Sequence, residues 1–154
     1  MTPEEFEILF RPSMRVLFDW GRLKNLHLGI HVEVVPDADK ASGWYAPWYT
    51  VEEQAEDYAR REPPFRFGDA LRKPETVSKR RLSKAAAIAD AHRKRPQVML
   101  VAAYDFGSGT IVLDGNHRVL AALLHFPQNP IMAVKISGGI DPKILPDLAN
   151  VDLP

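Results

Sequence analysis

The apolar positions of this chain fall in short blocks whose spacing changes from one block to the next. Thr2-Pro3-Glu4-Glu5 has the form of a helix start, with Thr2 as cap, Pro3 in the first turn and Glu5 closing a capping box. That helix should stop before Pro12, and a second helical stretch is expected over Met14 to Lys24. In Gly29 to Val35 the spacing changes to two: Ile30, Val32 and Val34 alternate with His31 and Glu33, which predicts a strand with one wet face. Pro36 ends it.

Residues 36 to 50 read as a loop carrying Trp44, Tyr45, Trp48 and Tyr49, and Thr50 opens a second capping box that predicts a helix to Arg61. Residues 63 to 76 read as irregular. Ser78 to Arg95 has the strongest helical character, with five alanines between positions 85 and 91 and Pro96 closing it. Gln97 to Tyr104 and Thr110 to Leu113 then form a hairpin across the Phe106-Gly107-Ser108-Gly109 turn. A helix over roughly residues 116 to 126 follows, then a strand at Ile131 to Ile136. The Pro-rich tail is expected to wrap the surface.

At 154 residues the chain is most simply one domain. It divides into a helical region at 1–28, a core at 29–137 and a tail at 138–154.

Composition narrows the chemistry. Twenty basic and twenty acidic side chains cancel, so net charge does not point to a polyanionic partner. The distribution is uneven: residues 72 to 95 carry nine Lys or Arg against Glu75 and Asp90. Such a run is either a solvated helix face or a contact for phosphate. Arg93, Lys94 and Arg95 suit the carboxyl end of a helix dipole, whereas Lys79, Arg80 and Arg81 oppose it at the amino end. They are the candidates for contact with a nucleic-acid backbone. The absence of cysteine excludes disulfides, thiolate metal sites and cysteine nucleophiles, and fits a reducing compartment. MTPEEFEILF lacks the basic start of a secretory signal, and no apolar run reaches the ~20 residues of a membrane span. A cytoplasmic protein is expected.

Five histidines, at 27, 31, 92, 117 and 125, show no metal-binding spacing, and no metal site is expected from them. The aromatic loop at 44–49 either stacks a base or shields a site as a lid, or else closes a small core.

The sharpest feature is Asp114-Gly115-Asn116-His117-Arg118, set directly between an apolar strand and an apolar helix. A helix start offers unpaired backbone N–H groups and the positive end of the dipole. Gly115 permits a positive φ or close approach to a ligand, and Asn116 or Asp114 can cap. His117 and Arg118 leave the first turn where an arginine fork can grip phosphate. Asp-Gly is also an ordinary turn pair, and Arg118 can pair with a carboxylate. Local chemistry leaves an anion cradle and a plain turn both open.

Asp114 to Leu123, DGNHRVLAAL, resembles the signature of ParB/sulfiredoxin-like domains, in which Asp-Gly-x-x-Arg precedes small and apolar residues. The order of elements over residues 78 to 137 is similar too. The resemblance implies an α+β domain with a compact mixed sheet, and phosphate binding at the turn. Gly115 and Asn116 would present N–H groups, and His117 and Arg118 would contact phosphate oxygens. Asp114 would orient the turn or help place Mg²⁺ through water. A nucleoside triphosphate, ATP or CTP, and Mg²⁺ are the implied cofactors, with Asp114, His117 and Arg118 serving phosphoryl transfer or hydrolysis.

Asn116 stands where sulfiredoxins carry cysteine, so sulfinic-acid reduction is excluded. Residues 127 to 154 leave little room for the helix-turn-helix that follows this domain in ParB proteins. A kinase-like activity needs an acidic base, for which Glu33, Asp37 and Asp39 are candidates by analogy. Two further readings remain: a nucleic-acid-binding or nuclease-like protein using Lys79, Arg80, Arg81 and Arg118, and a non-catalytic partner-binding module in which the motif is structural.

Overall fold

The computed structural model describes residues 1–48 and 65–151. The helix expected from Thr50 to Arg61 lies outside them. The fold is α+β: helices on both faces of a six-stranded mixed sheet, in the order β1-β6-β4-β5-β2-β3. The strands are β1 (Gly29–Val35), β2 (Tyr45–Ala46), β3 (Phe65–Arg66), β4 (Met99–Asp105), β5 (Thr110–Asp114) and β6 (Ile131–Ser137). β6 runs parallel to β4 and antiparallel to β1, and β4 and β5 form the expected hairpin.

One face is covered by α3 (Phe67–Arg72), α4 (Lys79–Lys94) and α5 (Asn116–His125). Their apolar residues share a cluster with Met99, Val101, Val112, Ile131 and Ala133 of the sheet. The other face is covered by the two ends of the chain. Phe6 and Phe10 of α1 (Pro3–Phe10) and Leu23 of α2 (Trp20–Asn25) pack with Ile144, Leu145 and Leu148 against Tyr104, Ile111, Val134 and Ile136. The tail therefore completes the core rather than wrapping the surface, because three large aliphatic side chains in it are fully or almost fully buried.

Several elements differ from expectation for definable reasons. α1 has the expected capping box: Thr2 accepts from the Glu5 N–H, and Glu5 accepts from the Thr2 N–H. The second helix begins at Trp20, not Met14. Asp19 caps it through the Arg22 N–H at 2.8 Å, and upstream Met14, Val16 and Phe18 enter the core at a spacing of two. Residues 63 to 76 are not wholly irregular: α3 forms where Phe67 and Ala70, three apart, share a buried face. A 3-10 helix, Ala38–Gly43, occupies part of the expected loop. β1 is a strand, yet Val32 and Val34 are 52 % and 58 % exposed, because nothing among the described residues covers that part of the edge strand.

Candidate functional site

A cleft of about 600 Å³ opens where the first turns of α4 and α5 converge. Such a volume lies within the range of small-molecule sites. Ser78, Arg80, Arg81 and Lys84 line it from α4, the whole 114–118 segment lines it from the β5–α5 junction, and Ser13 and Arg15 approach from the N-terminal layer. Five of the lining side chains are cationic (Arg15, Arg80, Arg81, Lys84 and Arg118) and one, Asp114, is a carboxylate. Among the described residues Arg15, Arg80 and Lys84 form no ion pair. Two helix dipoles also point their positive ends here, and among the described residues the cleft gathers positive potential. Of the basic start of α4, which opposes its own dipole, Arg80 and Arg81 line this cleft.

The junction is built on Gly115. Its φ of +87° places it in the left-handed region, and a Cβ there would stand 2.8 Å from Val101 Cγ1 and 3.2 Å from the Leu100 carbonyl oxygen. Gly115 thus caps α5 through backbone conformation, and its close approach is to β4. The expected side-chain cap from Asn116 or Asp114 does not form. No side chain caps α5 among the described residues, so the N–H groups at its start are left to a ligand or water. The strand register between β4 and β5 slips by one residue at Leu113, immediately before the motif.

Each motif side chain then has a definite place. Arg118 is turned toward the sheet: it donates to the Leu100 carbonyl, and its other nitrogen lies 3.5 Å from Asp114 Oδ2. Asp114 Oδ2 also accepts from Ser13 Oγ at 3.0 Å. The pair Asp114–Arg118 is therefore structural as well as cleft-lining, and the expected arginine fork is already partly engaged. His117 packs against Trp48 with ring centres 5.4 Å apart. Its Nε2 is buried and has no hydrogen-bond partner among the described residues, and the same holds for Asn116 Oδ1. Burial first, then Lys84, Arg81 and Arg80, push the His117 imidazole down to about 4. It is neutral at neutral pH. Arg81 lies over the Trp48 ring at 4.5 Å.

Of the expected residues, Asp114 to Arg118, Arg80 and Arg81 meet in the cleft, while Lys79 is not part of its lining. Trp44 and Tyr45 are core residues, and Trp48 is both core and cleft wall. Tyr49 lies outside the described residues. Glu33, Asp37 and Asp39 do not reach the motif. Glu33 pairs with Lys135 at 2.7 Å, and the Asp39 N–H bonds the Pro127 carbonyl, past the far end of α5. Sequence reasoning missed Lys84, Ser13, Ser78 and Arg15. Lys84 was legible, since Arg80, Arg81, Lys84 and Ile88 share one helical face. Nothing in the sequence marks Ser13 or Arg15, which arrive from about a hundred residues away.

Among the described residues no group of three His, Asp or Glu could hold a metal ion. Asp114, shared between Ser13 and Arg118, does not by itself make a resident Mg²⁺ site. No helix among the described residues is long and apolar enough to cross a membrane. Comparison with family models, with curated proteins and with solved structures finds no match to this chain.

Proposed function

We propose that the cleft binds the phosphates of a nucleoside triphosphate. One observation carries this reading: two helix N-termini and five cationic side chains converge on a concave site that, among the described residues, holds a single carboxylate. An anion there would meet the N–H groups at the start of α5 together with Arg80, Lys84 and Arg15, while Trp48 offers an apolar wall. His117 Nε2 and Asn116 Oδ1, buried and without a partner among the described residues, are the kind of polar atoms a ligand satisfies. The likeness of residues 114–123 to ParB/sulfiredoxin-like domains supports the same reading, and ATP and CTP are the nucleotides it suggests.

In phosphoryl transfer or hydrolysis these cations would stabilise charge as it develops on the transferred group. His117, neutral and with Nε2 unpaired among the described residues, is the cleft's candidate for moving a proton; Asp114 and Arg118 hold the turn in shape. Mg²⁺ enters only as a companion of the nucleotide phosphates, with no protein cage of its own. Arg80 and Arg81 also serve the nuclease-like reading, in which the same cleft takes a nucleic-acid backbone.

The test is thermal unfolding with ATP, CTP, ADP and inorganic triphosphate, each with and without Mg²⁺, alongside phosphate release over time. Ligand at a hundredfold excess over its dissociation constant stabilises the folded state by about 2.7 kcal/mol. A shift in wild type that is lost in an Arg80→Ala/Lys84→Ala variant supports the reading, and phosphate release separates an enzyme from a binder. No shift with any of the four overturns it. Oligonucleotide binding with a steep salt dependence, in place of nucleotide binding, moves the site to nucleic acid.

A further inference from the structure

β1 is an edge strand with a self-complementary sequence. Among the described residues it pairs with β6 alone, and β2 and β3 lie at the opposite edge of the sheet. No described residue pairs with the backbone donors and acceptors of the outer edge of β1, and Val32 and Val34 stand 52 % and 58 % exposed beside them. No proline or bulge interrupts the strand.

The geometry points to a second copy of this chain as the partner of β1, paired antiparallel about a two-fold axis through Val32. In that register Gly29 faces Val35 of the other copy, Ile30 faces Val34, His31 faces Glu33 and Val32 faces itself. Directly opposed residues project to the same face of a sheet. One face then carries a continuous apolar strip four strands wide, because β6 already sets Ile136, Val134 and Met132 beside Ile30, Val32 and Val34. The other face carries two symmetric His31–Glu33 pairs.

Each pair also joins an existing ion pair. Lys135, the direct neighbour of His31 on β6, reaches Glu33 at 2.7 Å, and Ser137 Oγ lies 3.5 Å from His31 Nδ1. Glu33 is 45 % exposed and keeps room for a histidine from a second copy. Neighbouring registers lose this match. An axis through Glu33 sets like charges against each other, and an axis through His31 leaves Glu33 facing Gly29. An axis between residues sets the apolar face of one copy against the charged face of the other. The isologous contact closes on itself, so it yields a dimer with one continuous sheet and no free β1 edge.

The experiment is sedimentation equilibrium on the full chain over a wide concentration range, with two charge variants. His31→Glu creates a strand carrying two carboxylates, and Glu33→Lys creates one carrying an imidazole and an ammonium; both positions are exposed, and far-UV circular dichroism checks that each variant folds. Wild type is expected to dimerise, and each variant alone to dimerise at least about tenfold more weakly. Their equimolar mixture should recover association, since the carboxylate introduced by His31→Glu then faces the ammonium introduced by Glu33→Lys, and the native Glu33 of the first variant faces the native His31 of the second. A monomeric wild type overturns the proposal. So do variants that self-associate as well as wild type, or a mixture that stays monomeric.

Discussion

Ser13 Oγ donates a 3.0 Å hydrogen bond to Asp114 Oδ2, joining residues 101 positions apart in sequence. The bond ties the N-terminal layer to the turn that opens α5. The same carboxylate oxygen lies 3.5 Å from Arg118, whose guanidinium also holds the Leu100 carbonyl. The floor of the cleft is thus fixed by three segments of chain before any ligand arrives.

Arg118→Ala should therefore act on stability as well as on binding. It leaves the Leu100 carbonyl and Asp114 without a charged partner, at a cost of about 1–3 kcal/mol. Lys84→Ala, which breaks no ion pair among the described residues, should change stability by less than about 0.5 kcal/mol and still weaken anion binding. Chemical denaturation of the two variants side by side checks this; equal stability losses would remove the structural role given to Arg118.

Gly115→Ala places a Cβ 2.8 Å from Val101 Cγ1 at a φ of +87°. The expected loss is about 1–3 kcal/mol from backbone strain and crowding together. Combining it with Val101→Ala should relieve the crowding but not the strain, so a double-mutant cycle should show favourable coupling. Additive losses would mean that the close packing of the turn on β4 is not what requires glycine.

How much of this was readable from the sequence depends on the range of the interactions involved. α1, α4 and α5 begin where local capping or glycine signals place them, because Thr2, Ser78 and Gly115 act within one turn. β1 was readable as a strand from its spacing of two. Its burial was not, since exposure depends on its edge position and on where the helices of both layers stop. α3 is six residues long and owes its existence to Phe67 and Ala70 packing in the core, a tertiary cause that local propensity does not encode. In the cleft, the 114–118 segment announced itself, while Arg15 and Ser13 joined it only through the fold. The acids proposed as a base failed for the same reason: Asp37 and Asp39 follow β1, whose carboxyl end meets the start of β6, beyond the far end of α5.

Acid should destabilise the fold through His117. Its imidazole is depressed from the ordinary value near 6.5 to about 4, so the unfolded chain binds the proton more readily. Stability from this group is fully present above about 6.5 and is lost as the pH falls toward 4. After allowance for its partial exposure the effect is on the order of 1–2 kcal/mol. His117→Gln should flatten the pH dependence of the unfolding midpoint in that window; an unchanged slope would show that His117 does not titrate as described.

Sulfate keeps its charge across the same window and so isolates the effect of the protein's proton. Its binding should tighten as the pH falls from 6.5 toward 4, because an anion beside His117 favours the imidazolium. In His117→Gln the affinity should lose this dependence. Calorimetry in buffers of different ionisation enthalpy checks the proton uptake directly, and binding with none would place the sulfate elsewhere.

The most direct measurement of the anion cleft is an NMR titration of the His117 ring against pH, with and without pyrophosphate, in wild type and in Arg80→Ala/Lys84→Ala. An anion held at the start of α5 should raise the His117 midpoint from about 4 by at least about one unit in wild type, and by much less in the variant. A midpoint that stays where it was at saturating pyrophosphate would contradict a phosphate site in this cleft.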